Sequence, residues 1–464
     1  MLKHYRFFPF AFICILGIFA QNTVINDPNF EQALIDLGYD SDNTVNGTVL
    51  TSDISSRTSL FIPNKNISDL TGIEDFISLT SLTCHSNQLT TLDLSNNTKL
   101  THVQSFNNQL TSVNVTQNTG LTFLNFNSNQ ITTIDISQNT LITSLGLANN
   151  QLNSLDLTHN SALYYVQCQG NQIPDLDLSQ NTALSNLVCG NNLYTSLDIT
   201  NNTALITLNC SNSLISDLDT SQNPLLSVLY CSNNAFITHL DLSNNLELSI
   251  LDCSIMPLLN TLDLSYNTKL TELWCYRVPW TNINLTQNTL LSLFYGPETP
   301  FTSLDFSNNT ALTVLNCSYN QQLTTLNVKS SNNIVLTSLD ARGCLNLECI
   351  QVDDEIAANT GDAPYTNWLK VSTTVYAEDC SALGIEDINM VSAIRLYPNP
   401  VNHVVHIESE LPLEKIEIFN VLGKKVKTIT SGFYAIDLDR LAKGLYMVKL
   451  QSKNGFVIKK LIKE

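Results

Sequence analysis

Residues 79–141 read LTSLTCHSNQLTTLDLSNNTK (79–99), LTHVQSFNNQLTSVNVTQNTG (100–120) and LTFLNFNSNQITTIDISQNTL (121–141), three copies of one 21-residue unit. Each copy holds two half-motifs, L-x-x-L-x-C-x-x-N and L-x-x-L-D-L-S-x-N, and each half pairs a short alternating run with an asparagine turn. A fixed period of this length marks a stacked solenoid, because one unit cannot bury its own apolar face. Aligned units start at Leu79 and continue to Leu336, most at steps of 21 and a few later ones at 22 or 24. Thirteen coils at strand spacing extend about 60 Å. The expected fold class is therefore mainly β: a leucine-rich-repeat solenoid of about 13 coils, with two strand-bearing half-motifs per coil, followed by a small C-terminal β-sandwich.

Within a unit, alternation assigns each side chain. In Ser81-Leu82-Thr83-Cys84-His85, Leu82 and Cys84 face inward and the others outward; in the second half Leu92 and Leu94 face inward. Cys84, Cys168, Cys189, Cys210, Cys231, Cys253, Cys275 and Cys317 share one inward position, which elsewhere holds Ser105, Phe126, Leu147 or Ala341. They read as core thiols, not as a disulfide framework or a metal cage. Cys344 replaces a turn asparagine. Cys349 and Cys380 lie outside the pattern and are the expected disulfide of an exported chain. Asparagines at both turns (Asn87, Asn108, Asn129, Asn150 and Asn97, Asn118, Asn139, Asn160) are expected to stack as two ladders that satisfy turn backbone groups.

Outward from the repeat, the ends differ in kind. Residues 1–20 carry Lys3, His4 and Arg6 before an apolar run from Phe7 to Ala20, the layout of a secretory signal peptide and short for a membrane span. Residues 21–78 form an N-terminal cap: Asp27-Pro28 begins a short helix with Phe30, Leu34 and Leu37 at helical spacing, ahead of a first irregular coil. Asp40, Asp42 and Asn46-Gly47 faintly suggest a calcium loop, but turn chemistry is the simpler reading. The solenoid occupies 79–349, a C-terminal cap 350–380, a linker 381–393 and a separate domain 394–464. That last domain holds 12 Lys/Arg against 7 Asp/Glu, while the rest of the chain holds 10 against 34. So acidic a surface disfavours nucleic acid and anionic lipid as partners.

Two resemblances follow from these residues. The repeat resembles the nested 21-residue class of bacterial leucine-rich repeats, the IRREKO type, over roughly residues 60–350. The tail, with Pro398-Asn399-Pro400, Gly423, Gly444-Leu445-Tyr446 and the terminal Lys459, Lys460 and Lys463, is similar to the C-terminal sorting domain of the type IX secretion system. Its alternating runs and turns read independently as a small β-sandwich. This resemblance implies the secretion machinery as a partner, export across the outer membrane, and release or attachment at the cell surface.

For chemistry the chain offers little. Nucleophile-elbow, zinc-helix and phosphate-loop motifs are missing from the sequence. His85 and His102 flank adjacent coils and are expected to lie near each other as surface polar residues. The row Asp93, Asp135, Asp156, Asp177, Asp198, Asp219, Asp241, Asp263 and Asp305 reads as framework, since Asn114, Asn284 and Asn327 replace it. No cofactor or metal is expected.

Departures from the repeat carry more information. Outward first-strand positions are mostly Ser, Asn, Gln, Thr and Gly, but between the eighth and eleventh coils they become Tyr230, Asp252, Glu272, Trp274, Tyr276 and Tyr295. The turn asparagine there gives way to Met256, Val278 and Thr299, with Pro257, Pro279, Pro297 and Pro300 nearby. Exposed aromatics flanked by acids are the usual make-up of a binding patch; the alternative reading is that an irregular stretch of solenoid packs aromatics there to repair itself. Trp280 and Phe301 align with the inward Leu89 position and belong to the core; Phe123, Tyr164 and Tyr165 form a thinner second cluster. The expected function is non-enzymatic adhesion or recognition of an extracellular protein or glycan by a monomer without a transmembrane segment in its mature form. Alternatives are a structural surface or matrix component and, more weakly, a polysaccharide-acting hydrolase using Asp252 and Glu272.

Overall fold

The computed structural model describes residues 21–380, 394–409, 412–452 and 455–464; the expected signal peptide (1–20) and the expected linker (381–393) lie outside the described residues. From Ser59 onward the first half-motif of every coil contributes one three- or four-residue strand to a parallel sheet, and a two-residue strand of the C-terminal cap closes it. Fifteen strands, from Ser59–Phe61 to Leu369–Lys370, lie side by side. Register follows the repeat: Leu82 pairs with Val103, and Val103 with Leu124. The central residue of each triplet is fully buried (Leu82, Val103, Leu124, Leu145), so one continuous apolar column runs along the stack. Each such leucine or valine side chain stabilises the stack by about 1.5–3 kcal/mol relative to exposure.

The second half-motif behaves differently along the chain. Through most of the stack its residues are extended without ladder pairing, apart from a single bridge between Asp93 and Asn114. It becomes a regular parallel sheet only in the last coils, where Ser303–Asp305, Thr325–Asn327, Cys349–Gln351 and Val375–Ala377 pair in order. The inward residues of this half are nonetheless mostly buried, including Leu94, Val115, Ile136 and Leu157, while Ile134, Leu262 and Ile283 pack against the core partly buried.

Two asparagine ladders bind coil to coil. Asn87 donates to the carbonyls of Ile62 and Cys84, and its Oδ1 accepts from Lys65 N–H and Ile67 N–H. In the other ladder Asn181 donates to the Leu157 carbonyl at 3.1 Å and the Asn160 carbonyl at 2.9 Å. The same contacts recur along both ladders and tie the carbonyls of one coil to the amide of the next; in the second ladder this adds to the turn N–H that each carbonyl already accepts within its own coil.

Both open ends of the stack are covered. Asp27 caps the helix Pro28–Asp36 by accepting from Asn29 N–H and Phe30 N–H, with Pro28 at the first turn. Phe30 and Leu34 bury against the first coil; Leu37 does not, because the helix stops at Asp36 and leaves it partly exposed. Asp40 and Asp42 serve turns: Asp40 Oδ1 accepts from Asp42 N–H, and Asp42 takes Thr44 N–H and the Asn46 amide. At the other end Tyr365, Trp368 and Tyr376 pack edge to face, and the Trp368 indole donates to the Leu336 carbonyl. A disulfide joins Cys349 to Cys380 with 5.8 Å between their Cα atoms.

Residues 394–464 build a second core of their own, in which Ile416, Ile418, Val448, Leu450 and Leu461 are buried. It comprises two antiparallel sheets, one of Ile394–Tyr397, Val404–Ser409 and Ala435–Asp437, the other of Lys425–Ile429, Leu413–Asn420, Gly444–Ser452 and Gly455–Lys463. Asn399 ties the Pro-Asn-Pro turn to the last strand, donating to the Lys460 carbonyl and accepting from Ile462 N–H.

Candidate functional site on the sheet face

The residues of the irregular coils meet because parallel register stacks equivalent positions. Tyr230 pairs with Asp252, Asp252 with Trp274, and Trp274 with Tyr295, so four outward side chains form one row across adjacent strands. The Trp274 and Tyr295 rings lie 4.8 Å apart at 38°, and Tyr276 meets Tyr295 edge-on at 6.1 Å. All six candidate residues, Glu272 included, are half-buried: none has folded into the core and none stands fully free. Trp280 and Phe301 are buried in the core, and the Trp280 indole donates to the Leu259 carbonyl at 2.7 Å. That bond returns a donor to a stretch where Met256 and Val278 have replaced amides.

A parallel row escapes a search for aromatics and acids. Two residues before the aromatic row, the outward positions are Val228, Ile250, Glu272, Leu293 and Val314, again paired strand to strand. The aliphatic members are half-buried. Earlier coils carry the polar Ser81, His102, Ser144, Asn186 and Thr207 at the same position, interrupted by the aromatics Phe123 and Tyr165. The alternation rule applied to every outward residue would have exposed the change. Together the rows make an apolar strip with Asp252 and Glu272 set into it.

The histidines are not brought together. His102 lies opposite Ser81, whereas His85 sits four residues further along and stacks on Phe106 at 4.1 Å. His102 instead faces Phe123 at 6.1 Å. The aspartate row closes turns: Asp177 accepts from Ser179 N–H at 2.9 Å and Asp263 from Ser265 N–H at 2.9 Å. The hydroxyl and then the N–H of the residue two on hold Asp156, Asp177, Asp198 and Asp219 below the usual carboxyl range. Asn114 and Asn284 accept the same bond, which explains why an amide substitutes freely.

The ladder cysteines are buried, and burial pushes Cys84, Cys168 and Cys210 up to about 12, far from thiolate reactivity. Cys344 is also buried and points at the Cys317 carbonyl at 3.1 Å. Among the described residues no cluster of three or more His, Cys, Asp or Glu side chains could hold a metal ion. No helix among them is long and apolar enough to cross a membrane.

Comparison with known proteins agrees with this architecture. Residues 395–464 match the secretion system C-terminal sorting domain. The structure of internalin J from Listeria monocytogenes, described as including a cysteine ladder, superimposes with a TM-score of 0.66 at 28% identity, over 96% of this chain and 99% of that one. An internalin F structure from the same species follows at TM-score 0.54 and 20% identity, over 77% and 96%. A leucine-rich-repeat protein of Leptospira interrogans gives 0.51 and 17%, over 65% and 91%; these two bear on the fold alone. In sequence, 51 residues are 47% identical to Listeria internalin J, which is 11% of this chain and only 6% of that protein's length. The chain is thus a leucine-rich-repeat solenoid joined to a type IX sorting domain. That domain marks it for export, to the cell surface or beyond.

Proposed function

We propose that this exported solenoid is a non-enzymatic recognition protein that binds an extracellular protein through the apolar strip of its sheet face. The observation that carries the reading is the double row: Val228, Ile250, Leu293 and Val314 beside Tyr230, Trp274 and Tyr295, all half-exposed on consecutive strands. Aliphatic side chains offer a sugar hydroxyl nothing, whereas an apolar centre with aromatic anchors is how protein interfaces are composed. Asp252 and Glu272 then favour a partner with a basic rim. Likeness to internalin J supports an interaction role in general, without naming a partner. A signal peptide at residues 1–20 and attachment at the outer membrane belong to the same proposal.

The test is affinity capture from extracellular and surface protein fractions by the purified chain. A partner retained by the wild-type protein and by a Phe123→Ala variant, but lost with Trp274→Ala/Tyr295→Ala, supports the reading. Equal capture by all three, or capture of nothing, removes it and leaves a structural surface component.

A further inference from the structure

Every coil turns out of the sheet through one residue in the left-handed region, and the residue type changes along the stack. Ser86, Asn107, Ser128, Asn149, Gly170, Asn191, Asn212 and Asn233 occupy the position first, all small or amide-bearing residues that tolerate positive φ. Ile255, Arg277, Glu298 and Tyr319 follow at φ between 53° and 59°. Bulky side chains have therefore been placed, against backbone preference, along one edge of the molecule. Local strain of this kind clusters at ligand clamps.

Beside the last two lies an open cleft of about 460 Å³, lined by Glu298, Thr299, Pro300, Tyr319, Gln321 and Gln322. Its size falls within the range of small-ligand sites. Tyr319 is 57% exposed, yet its ring is not loose. A Cβ on Gly343 would come within 2.5 Å of the ring, so this glycine, at φ 74°, lets the tyrosine lie flat on the next coil's backbone. One face is backed; the ring borders the cleft. Glu298 is held as firmly. Arg277 Nε and a terminal guanidinium nitrogen both reach its Oε2, at 2.8 and 2.7 Å, which leaves Oε1 unengaged. Among the described residues the side-chain amides of Gln321 and Gln322 have no hydrogen-bond partner, and both residues are exposed.

We propose that this edge cleft binds a neutral sugar ring, in a second site separate from the sheet-face strip. A backed aromatic plane beside two free amides and an oriented carboxylate oxygen fits a pyranose, whose apolar face stacks while its hydroxyls donate and accept. Charge excludes the alternatives. Arg277 neutralises Glu298, and Arg342 is paired with Asp340 at 2.7 Å, so the cleft offers no net charge to a phosphate, sialic acid or cation. An extended peptide would need free backbone groups. The turn N–H groups are already spent between coils, Glu298 N–H on Ser318 and Tyr319 N–H on Arg342.

The experiment is a saccharide array read with the full exported chain, carrying neutral gluco-, manno- and galacto-configured oligosaccharides beside sialylated and sulfated ones, then calorimetric titration of the tightest binder. Tyr319→Asn installs the residue this backbone position accepts elsewhere, so the variant folds; it is expected to weaken binding by about tenfold or more. Tyr319→Phe keeps the ring and is expected to keep the affinity. Gly343→Ala, which displaces the ring, should weaken binding as Tyr319→Asn does. Absence of any bound neutral saccharide, preference for the anionic ones, or full affinity in Tyr319→Asn would each overturn the assignment. Protein capture by the sheet face is a separate assay, so either site can fail alone.

Discussion

At the scale of single residues the chain depends on amides that no polar count would rank as important. Asn181 is fully buried and donates to two carbonyls belonging to the previous coil. Asn181→Ala removes one of the two hydrogen bonds at each, since the Leu157 carbonyl also accepts Asn160 N–H and the Asn160 carbonyl also accepts Leu163 N–H, and each lost bond costs about 0.5–1.5 kcal/mol. The variant should lose about 1–3 kcal/mol of stability, read as a lower midpoint in urea unfolding. Asp177→Asn should do little, because Asn114 and Asn284 accept the same turn bond without a charge. These contrasts were legible in the repeat: substitution of asparagine for aspartate, and of Ser105, Phe126 or Leu147 for cysteine, already marked which atoms matter. His85 and His102 were misplaced because adjacency in the alignment says nothing about register along the strand; their ring partners are Phe106 and Phe123.

At the scale of elements, the strand-and-turn unit was readable from 21 residues, but its two halves do not form equal sheets. The first half pairs along the whole stack, while the second, one bridge between Asp93 and Asn114 apart, forms a ladder only from Ser303 onward. Alternation dictates which side chains are buried in both halves and cannot dictate whether neighbouring backbones come into ladder contact. The turn is where sequence reasoning fell short. Loss of asparagine at Met256, Val278 and Thr299 was visible, yet the residues just before them, Ile255, Arg277 and Glu298, carry the positive φ. Backbone conformation is not written in a single residue's chemistry. Ile255 is the clearest case, a β-branched side chain at φ 54°. Ile255→Asn should therefore stabilise the protein by about 1 kcal/mol, seen as a raised melting temperature. An unchanged or lower value would mean that packing of the half-buried isoleucine outweighs the strain.

For the whole molecule, acid response follows from the aspartate row. Hydrogen bonds lower the folded pKa of Asp156, Asp177, Asp198 and Asp219 below the ordinary 3.8. A lowered folded value contributes stability that is present above the unfolded value and lost as pH falls through the folded ones. The melting temperature should thus hold steady above about pH 5 and fall progressively below about pH 4. Replacing those four residues with asparagine should flatten the acid limb while leaving neutral stability in place. Stability also divides between two apolar cores, one in residues 25–376 and one in residues 394–461, which share no residue. Truncation after Cys380 should leave the solenoid's unfolding transition where it was and abolish export.

The sheet-face strip is where scaffold and recognition meet. Its aromatics are half-buried, so ring-on-ring packing of Trp274, Tyr276 and Tyr295 could serve the irregular coils as well as a partner. The most direct measurement pairs, on one Trp274→Ala/Tyr276→Ala variant, the dissociation constant for the captured protein partner with the thermal unfolding midpoint. The account predicts that affinity is lost while the midpoint stays close to that of the wild type. A midpoint lowered by many degrees with affinity intact would contradict it, and would make these aromatics part of the packing of an irregular stretch.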